Sequence, residues 1–277
     1  EHMVFKGAGG RSARDIVEVV EASGGSINAA TGHERTSFQT RALKGGLDLM
    51  MKVTADLVLR PDMAPAELRR EKGVVAQEIA EAKDTPDDQV FELAQAAAFS
   101  GQALGRPILG ETRTVRAAAP DALAAFRAGL YAPDRLVVSA AGAVDEDELF
   151  SLAEACFGEA AGQGPAIAEP GHFVGGRAGE ARRLEQAHLV LMLPAPGALD
   201  IDYFPLRLFV EALGGGMASR LFQEAREKRG LAYAIDAYSD TYSDVGVLGV
   251  YAGCAARDTA ALAEVCAAEI RALAAAI

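Results

Sequence analysis

The chain begins Glu1-His2, in the stretch EHMVFKG, and these two residue types together can support metal-assisted hydrolysis. A zinc hydrolase needs two or three His or carboxylate ligands, an open coordination position and a nearby base. On a helix, ligands at i and i+4 share a face, and a carboxylate at i+3 sits beside them. In the order H-x-x-E-H that carboxylate is not a ligand; it takes a proton from the attacking water. EHMVFKG supplies the last two letters of this order, and the first His would precede Glu1, outside the chain. Taken alone the pair decides nothing, because a chance surface pair or a cloning remnant in front of Met3 reads the same way.

The remaining histidines offer no second site. His33 falls in a polar hairpin turn, His172 in a Gly- and Pro-rich stretch and His188 at the start of an apolar run, none with a partner at zinc spacing. Gly214, Gly215 and Gly216 suggest a phosphate loop, but no G-K-[ST] follows, so a tight helix-to-helix connection is the reading.

Composition narrows the classes. The 277 residues are half hydrophobic with a net charge of −12, which argues against a nucleic-acid partner and suits cationic ones such as basic peptides. The three cysteines, Cys156, Cys254 and Cys266, form no C-x-x-C pair and read as buried thiols of a reducing compartment. No stretch reaches the roughly 20 apolar residues that span a bilayer. The bacterial cytoplasm is the expected location. The periplasm and the mitochondrial matrix stay open, since a segment before Glu1 would carry any address.

The elements that must position these residues follow from pattern. Ser12 with Asp15 reads as a capping box for a helix through IVEVVEA, stopped at Gly24-Gly25. SINAATGHERTSFQTRAL alternates as two strands about a polar turn. GLDLMMKVTADLVL is helical up to Pro61, and a long helical pattern runs from Pro65, breaks at Thr85-Pro86 and resumes to Phe99. Another helix starts near Pro120, RLVVSAAGAV is expected as a buried strand, and DEDELFSLAEACF as a capped helix. Beyond a Gly/Ala/Pro-rich stretch come a strand (AHLVLML), two helices about the glycine triplet, two strands and a last helix. The domains expected are 1–160, a linker over 161–183, and 184–277. The last helix stops without a cap, and truncation at both ends is the expectation.

At this point the chain resembles the pitrilysin/insulinase family of metallopeptidases, in its short processing-peptidase branch. Four stretches carry the resemblance in order: EHMVFKG, VVEASGGSINAATGHERTSF, ELRREKGVVAQEI and GGGMASRLFQEAREKRGLAYAI. Glu78 lies 76 positions after His2, the separation of the family pattern, which a cloning remnant would not reproduce.

The resemblance implies two similar α+β domains, each a mainly antiparallel sheet with helices packed on one face, and a Zn2+ cofactor. It implies His2 and Glu78 as zinc ligands, Glu1 as general base and Glu71 as an assisting acid that orients His2. Asn28 and Ala29 are implied to lie on a strand against which an extended peptide substrate adds. Arg226 and Tyr233 are implied to hold substrate carbonyls and the oxyanion. Read without the resemblance, Glu71 is a solvated helix charge, Asn28 a turn residue, and Arg226 and Tyr233 surface groups. The implied activity is zinc-dependent endopeptidase action on short or unfolded peptides, including presequence-like ones, by a homodimer or a heterodimer with a related subunit. With one ligand outside the chain, this stretch alone is expected to hold zinc weakly and turn nothing over. The rival class is a non-catalytic, peptide-gripping subunit of a larger complex.

Overall fold

The computed structural model describes residues 1–158, 160 and 170–276. A single 3₁₀ turn, His2–Lys6, opens the chain, followed by β1 (Gly7–Ala8), β2 (Arg11–Ser12), α1 (Ala13–Ala22), β3 (Ser26–Thr31) and β4 (Thr36–Arg41). Then come α2 (Leu47–Leu59), α3 (Pro65–Asp84), α4 (Pro86–Ala98), α5 (Thr112–Ala117), α6 (Pro120–Leu130) and α7 (Glu146–Phe157). The second half holds β5 (Ala187–Ala195), α8 (Tyr203–Gly214), a π-helical segment Phe222–Lys228, β6 (Ala232–Thr241), β7 (Gly246–Cys254) and α9 (Thr259–Ala274). Strand pairs are antiparallel throughout, in an α+β arrangement.

Two compact units divide the chain. One comprises Glu1–Ile79 with Ile108–Ala168, the other Ala80–Pro107 with Glu169–Ile277. This grouping differs from the expected boundaries in one segment, residues 80–107, which pack with the second half. The reason is aromatic. Phe91 of α4 stacks on Tyr251 of β7 at 5.3 Å and meets Tyr238 of β6 edge-on at 5.4 Å. Of the expected linker, 161–169 lies outside the described residues. Residues 170–183 have no regular secondary structure, yet Val174 donates its N–H to the Ala98 carbonyl and Phe173 packs edge-on against Phe99.

In the first unit, α1 forms where the apolar stripe predicts. Ser12 accepts from the Asp15 N–H while the Asp15 carboxylate accepts from the Ser12 N–H, a reciprocal cap worth about 1 kcal/mol. Ile16 and Val20 on its inner face join Val4, Ala8, Met50, Val53 and Leu57 in one core. The hairpin β3–β4 pairs Ser26 with Arg41 through to Thr31 with Thr36, and Ile27 and Phe38 lie against that core. From α6, Arg127 donates to the Val58 and Leu59 carbonyls, closing the C-terminal end of α2.

The run RLVVSAAGAV is not a strand. Residues 136–144 are irregular, and Val137 is 92 % exposed. A strand is stabilised by ladder partners on a neighbouring chain segment, and no described segment pairs with this one, so apolar composition alone does not order it.

The second unit is built on the sheet β5–β7–β6. The even-numbered side chains of β7, Leu248 to Cys254, enter a core with Val210 and Leu213 of α8 and Leu262, Val265 and Cys266 of α9. The odd-numbered face carries Val247 and Tyr251 toward α4 and the segment that follows it. Period-two alternation thus sorts one strand between two helical layers.

Candidate metal centre

Three of the residues singled out in the sequence meet in the first unit. The 3₁₀ turn presents His2, and α3 presents Glu71 and Glu78, seven residues and two turns apart on one face. His2 Nδ1 lies 3.2 Å from Glu71 Oε2, and His2 Nε2 lies 3.5 Å from Glu78 Oε2. Glu71 is 7 % exposed, so it is a buried group with partners and not a solvated helix charge. Gly7 ends the turn at φ +146, where a Cβ would meet the Asp62 carboxylate at 2.4 Å, so the sharp exit into β1 requires glycine.

A neutral imidazole has one N–H. With that N–H on Glu71, the Nε2 lone pair faces a second carboxylate oxygen, and either a proton on Nε2 or a cation between the two atoms satisfies both. Two ligands of a tetrahedral zinc at about 2.0–2.2 Å from the metal stand roughly 3.3 Å apart. The 3.5 Å gap between Nε2 and Glu78 fits that span, and the carboxylate on Nδ1 is the usual second partner of a zinc-bound His. His2 and Glu78 therefore fit as two zinc donors with Glu71 behind them. Among the described residues no group of three or more side chains that could hold a metal occurs, so His2 and Glu78 do not by themselves complete a metal site.

Glu1 lies beside this pair. Its Oε2 accepts from the Thr31 hydroxyl at 2.6 Å, which joins Glu1 to the end of β3. Across the hairpin, Tyr131 packs edge-on against Phe38 at 6.2 Å. Burial pushes the Tyr131 hydroxyl above the usual phenol range; a hydrogen bond with Thr36 opposes this and the Glu1 carboxylate reinforces it. Asn28 and Ala29 sit mid-strand in β3, opposite Gln39 and Phe38. On its other edge β3 has no partner strand among the described residues, which leaves main-chain groups free to accept an added strand.

Arg226 and Tyr233 lie in the second unit, and they too are brought together. The π-helical segment carries Phe222 and Arg226, and the guanidinium lies 4.5 Å from the Phe222 ring centroid and 5.2 Å from that of Tyr233. Tyr233 is 75 % exposed. An Arg held between two rings is pre-oriented with its N–H edge outward, and π-helical turns recur at functional positions. Both side chains line an open cleft with Gln186, Leu231, Gly253 and Arg257. His188 is structural, its Nδ1 within 3.0 Å of the Tyr251 hydroxyl.

Two polar contacts of these residues escape a reading of the sequence. Thr31 on Glu1 is one. The other is Lys6, whose Nζ is 2.7 Å from Glu71 Oε1. Lys6 stands four residues after His2, in the same stretch EHMVFKG.

Comparison with known proteins gives the family and the fold. Residues 1–112 match the family model described as Insulinase (Peptidase family M16), and residues 118–277 the one described as Peptidase M16 inactive domain. An uncharacterized zinc protease of Streptomyces coelicolor is 39 % identical over 263 residues, covering 92 % of this chain and 57 % of that protein. The uncharacterized zinc protease YmxG of Bacillus subtilis is 36 % identical over 266 residues, covering 95 % and 64 %. The chain thus spans about three fifths of the length of such relatives. Among solved structures, a peptidase M16 inactive domain from Pseudomonas fluorescens superposes with a TM-score of 0.86 at 20 % identity, covering 96 % of this chain and 67 % of that one. A protease from Helicobacter pylori does so with a TM-score of 0.86 at 18 % identity, covering 95 % and 67 %.

Proposed function

The chain belongs to the insulinase (M16) peptidase family, and from that premise we propose that it is the core of a zinc-dependent metalloendopeptidase acting on short or unfolded peptides, presequence-like ones included. The observation that carries this reading is His2 set between two carboxylates, one on each ring nitrogen. His2 and Glu78 would hold zinc with at least one further ligand. Zinc bound there would polarise the scissile carbonyl and acidify water.

The rest falls to the chain's own groups. The free edge of β3, at Asn28 and Ala29, would hold the peptide extended by main-chain hydrogen bonds. Glu1, steadied by Thr31, would take the proton of the attacking water and pass it to the leaving amine. Glu71 would keep the His2 ring oriented. Arg226 and Tyr233 would bind substrate carbonyl oxygen as negative charge grows on it. Because the two sets of residues belong to different compact units, assembly of a homodimer, or of a heterodimer with a related subunit, is part of the proposal.

The test uses the full-length protein that carries this chain. It should take up zinc stoichiometrically and cut an unfolded reporter peptide. Glu1→Gln should keep the zinc and lose cleavage by about 10²–10⁴-fold, the usual span for a general base. Zinc uptake without cleavage by the parent protein would instead favour a non-catalytic, peptide-gripping role. Absence of zinc from the parent would remove the reading altogether.

A further inference from the structure

We propose that Lys6 is a positioning residue of the metal centre, setting the tautomer and direction of His2 through Glu71; the proposal rests on the zinc reading above. Glu71 is buried and has two oxygens with two partners, Lys6 Nζ at 2.7 Å on Oε1 and His2 Nδ1 at 3.2 Å on Oε2. A lysine ammonium carries donors only, so Oε1 serves as an acceptor there. That contact fixes the rotation of the carboxylate about its last bond and leaves Oε2 as the oxygen presented to the imidazole.

An acceptor at Oε2 selects the His2 tautomer with the proton on Nδ1. The lone pair is then on Nε2, on the side of Glu78, 3.5 Å away. Lys6 and His2 are only four residues apart on the same short turn, so one carboxylate from α3 grips both ends of that turn. Charge-assisted bonds of this kind are shorter and stronger than neutral ones, and this one is shielded by burial of the carboxylate. Without Lys6, Oε1 is left as a buried acceptor with no described partner, and the carboxylate can swing to satisfy it. The ligand then keeps its identity but loses its aim.

The experiment compares the full-length protein with Lys6→Met, Lys6→Gln and Lys6→Arg, reading the zinc dissociation constant by competition with a chromophoric chelator. The visible spectrum of the cobalt-substituted protein reports ligand geometry in parallel. Lys6→Met should weaken zinc about 10–100-fold and alter the cobalt spectrum, the usual cost of losing an outer partner, while Lys6→Arg should return to within about threefold of the parent. Lys6→Gln, uncharged and one atom shorter but still a donor, carries the test should the Met variant fail to fold, and should fall between the two. The inference is overturned if Lys6→Met binds zinc as tightly as the parent with the same cobalt spectrum, or if Arg and Gln variants are as weak as Met. A parent that binds no zinc overturns the zinc reading itself, an outcome distinct from a zinc-loaded parent matched by its Met variant.

Discussion

His2 Nε2 and Glu78 Oε2 stand 3.5 Å apart, the width of one tetrahedral zinc ion between an imidazole nitrogen and a carboxylate oxygen. The same ring meets Glu71 through Nδ1. The two glutamates, two turns apart on α3, therefore meet different nitrogens of the ring, and the proposed zinc reading gives them different tasks.

That difference is measurable. Glu78→Gln removes a ligand and should lower zinc affinity more than about 100-fold, whereas Glu71→Gln removes an orienting partner and should cost about 10–100-fold. Metal analysis of both variants in the full-length protein after dialysis checks the order. Equal losses would dissolve the distinction.

Arg226 is held by the Phe222 and Tyr233 rings, with a Glu227 carboxylate oxygen 3.9 Å from its Nε. Lysine offers neither the planar stack nor the fork, so Arg226→Lys should lower kcat about 10²–10³-fold, as loss of an oxyanion donor does, with zinc content unchanged. Steady-state kinetics on an unfolded peptide, paired with metal analysis, separates this from damage to the metal centre. A variant with the parent's kcat would place Arg226 outside the chemistry.

Asp56 is a structural counterpart to the centre. Buried in α2, it accepts from Arg11 Nη1 at 2.5 Å and from Arg60 Nε at 2.8 Å. Both guanidinium groups keep contact with solvent, so Asp56→Ala should cost about 1–3 kcal/mol, less than a fully buried pair would. Gly9 bears on the same carboxylate. It sits at φ +59, and a Cβ there would lie 2.2 Å from Asp56 Cγ. Gly9→Ala should destabilise as well, and urea unfolding of both variants would show it as lowered midpoints.

Cys266 gives a pH signature. Burial pushes its thiol up to about 11, from an ordinary value near 9. The raised group is protonated in both states below pH 9. Above that, the unfolded chain ionises first, so stability falls as pH climbs toward 11, by roughly 2 kcal/mol in total. Unfolding midpoints at pH 8 and pH 10.5 should differ in the parent, and less so in Cys266→Ala. In native protein, thiol reagents should reach Cys156 before the buried Cys254 and Cys266.

Much of the centre was legible because its parts are local or in register. The cap at Ser12 and the alternation of β3 and β4 follow from short stretches, and the 76-residue spacing of His2 and Glu78 from the family resemblance. What stayed hidden depends on which surface meets which. Lys6 and Thr31 look like ordinary surface polar residues until α3 and the N-terminal turn approach them. The pattern of α4 says that one face is apolar, not that Phe91 will lie on β6 and β7. RLVVSAAGAV has the composition of a strand, but composition supplies no ladder partner. FQEAREK reads as plain helix, and its wider winding changes no residue type.

The unpaired edge of β3 has a cost in colloidal terms. Any edge that can accept a peptide can also template a neighbouring molecule. SINAAT contains no Lys or Pro to discourage this. What keeps copies apart must then be its brevity, six residues, and the mutual repulsion of molecules at net charge −12. Salt screens that repulsion over about 10 Å at 0.1 M, so concentrated salt should promote self-association along this strand.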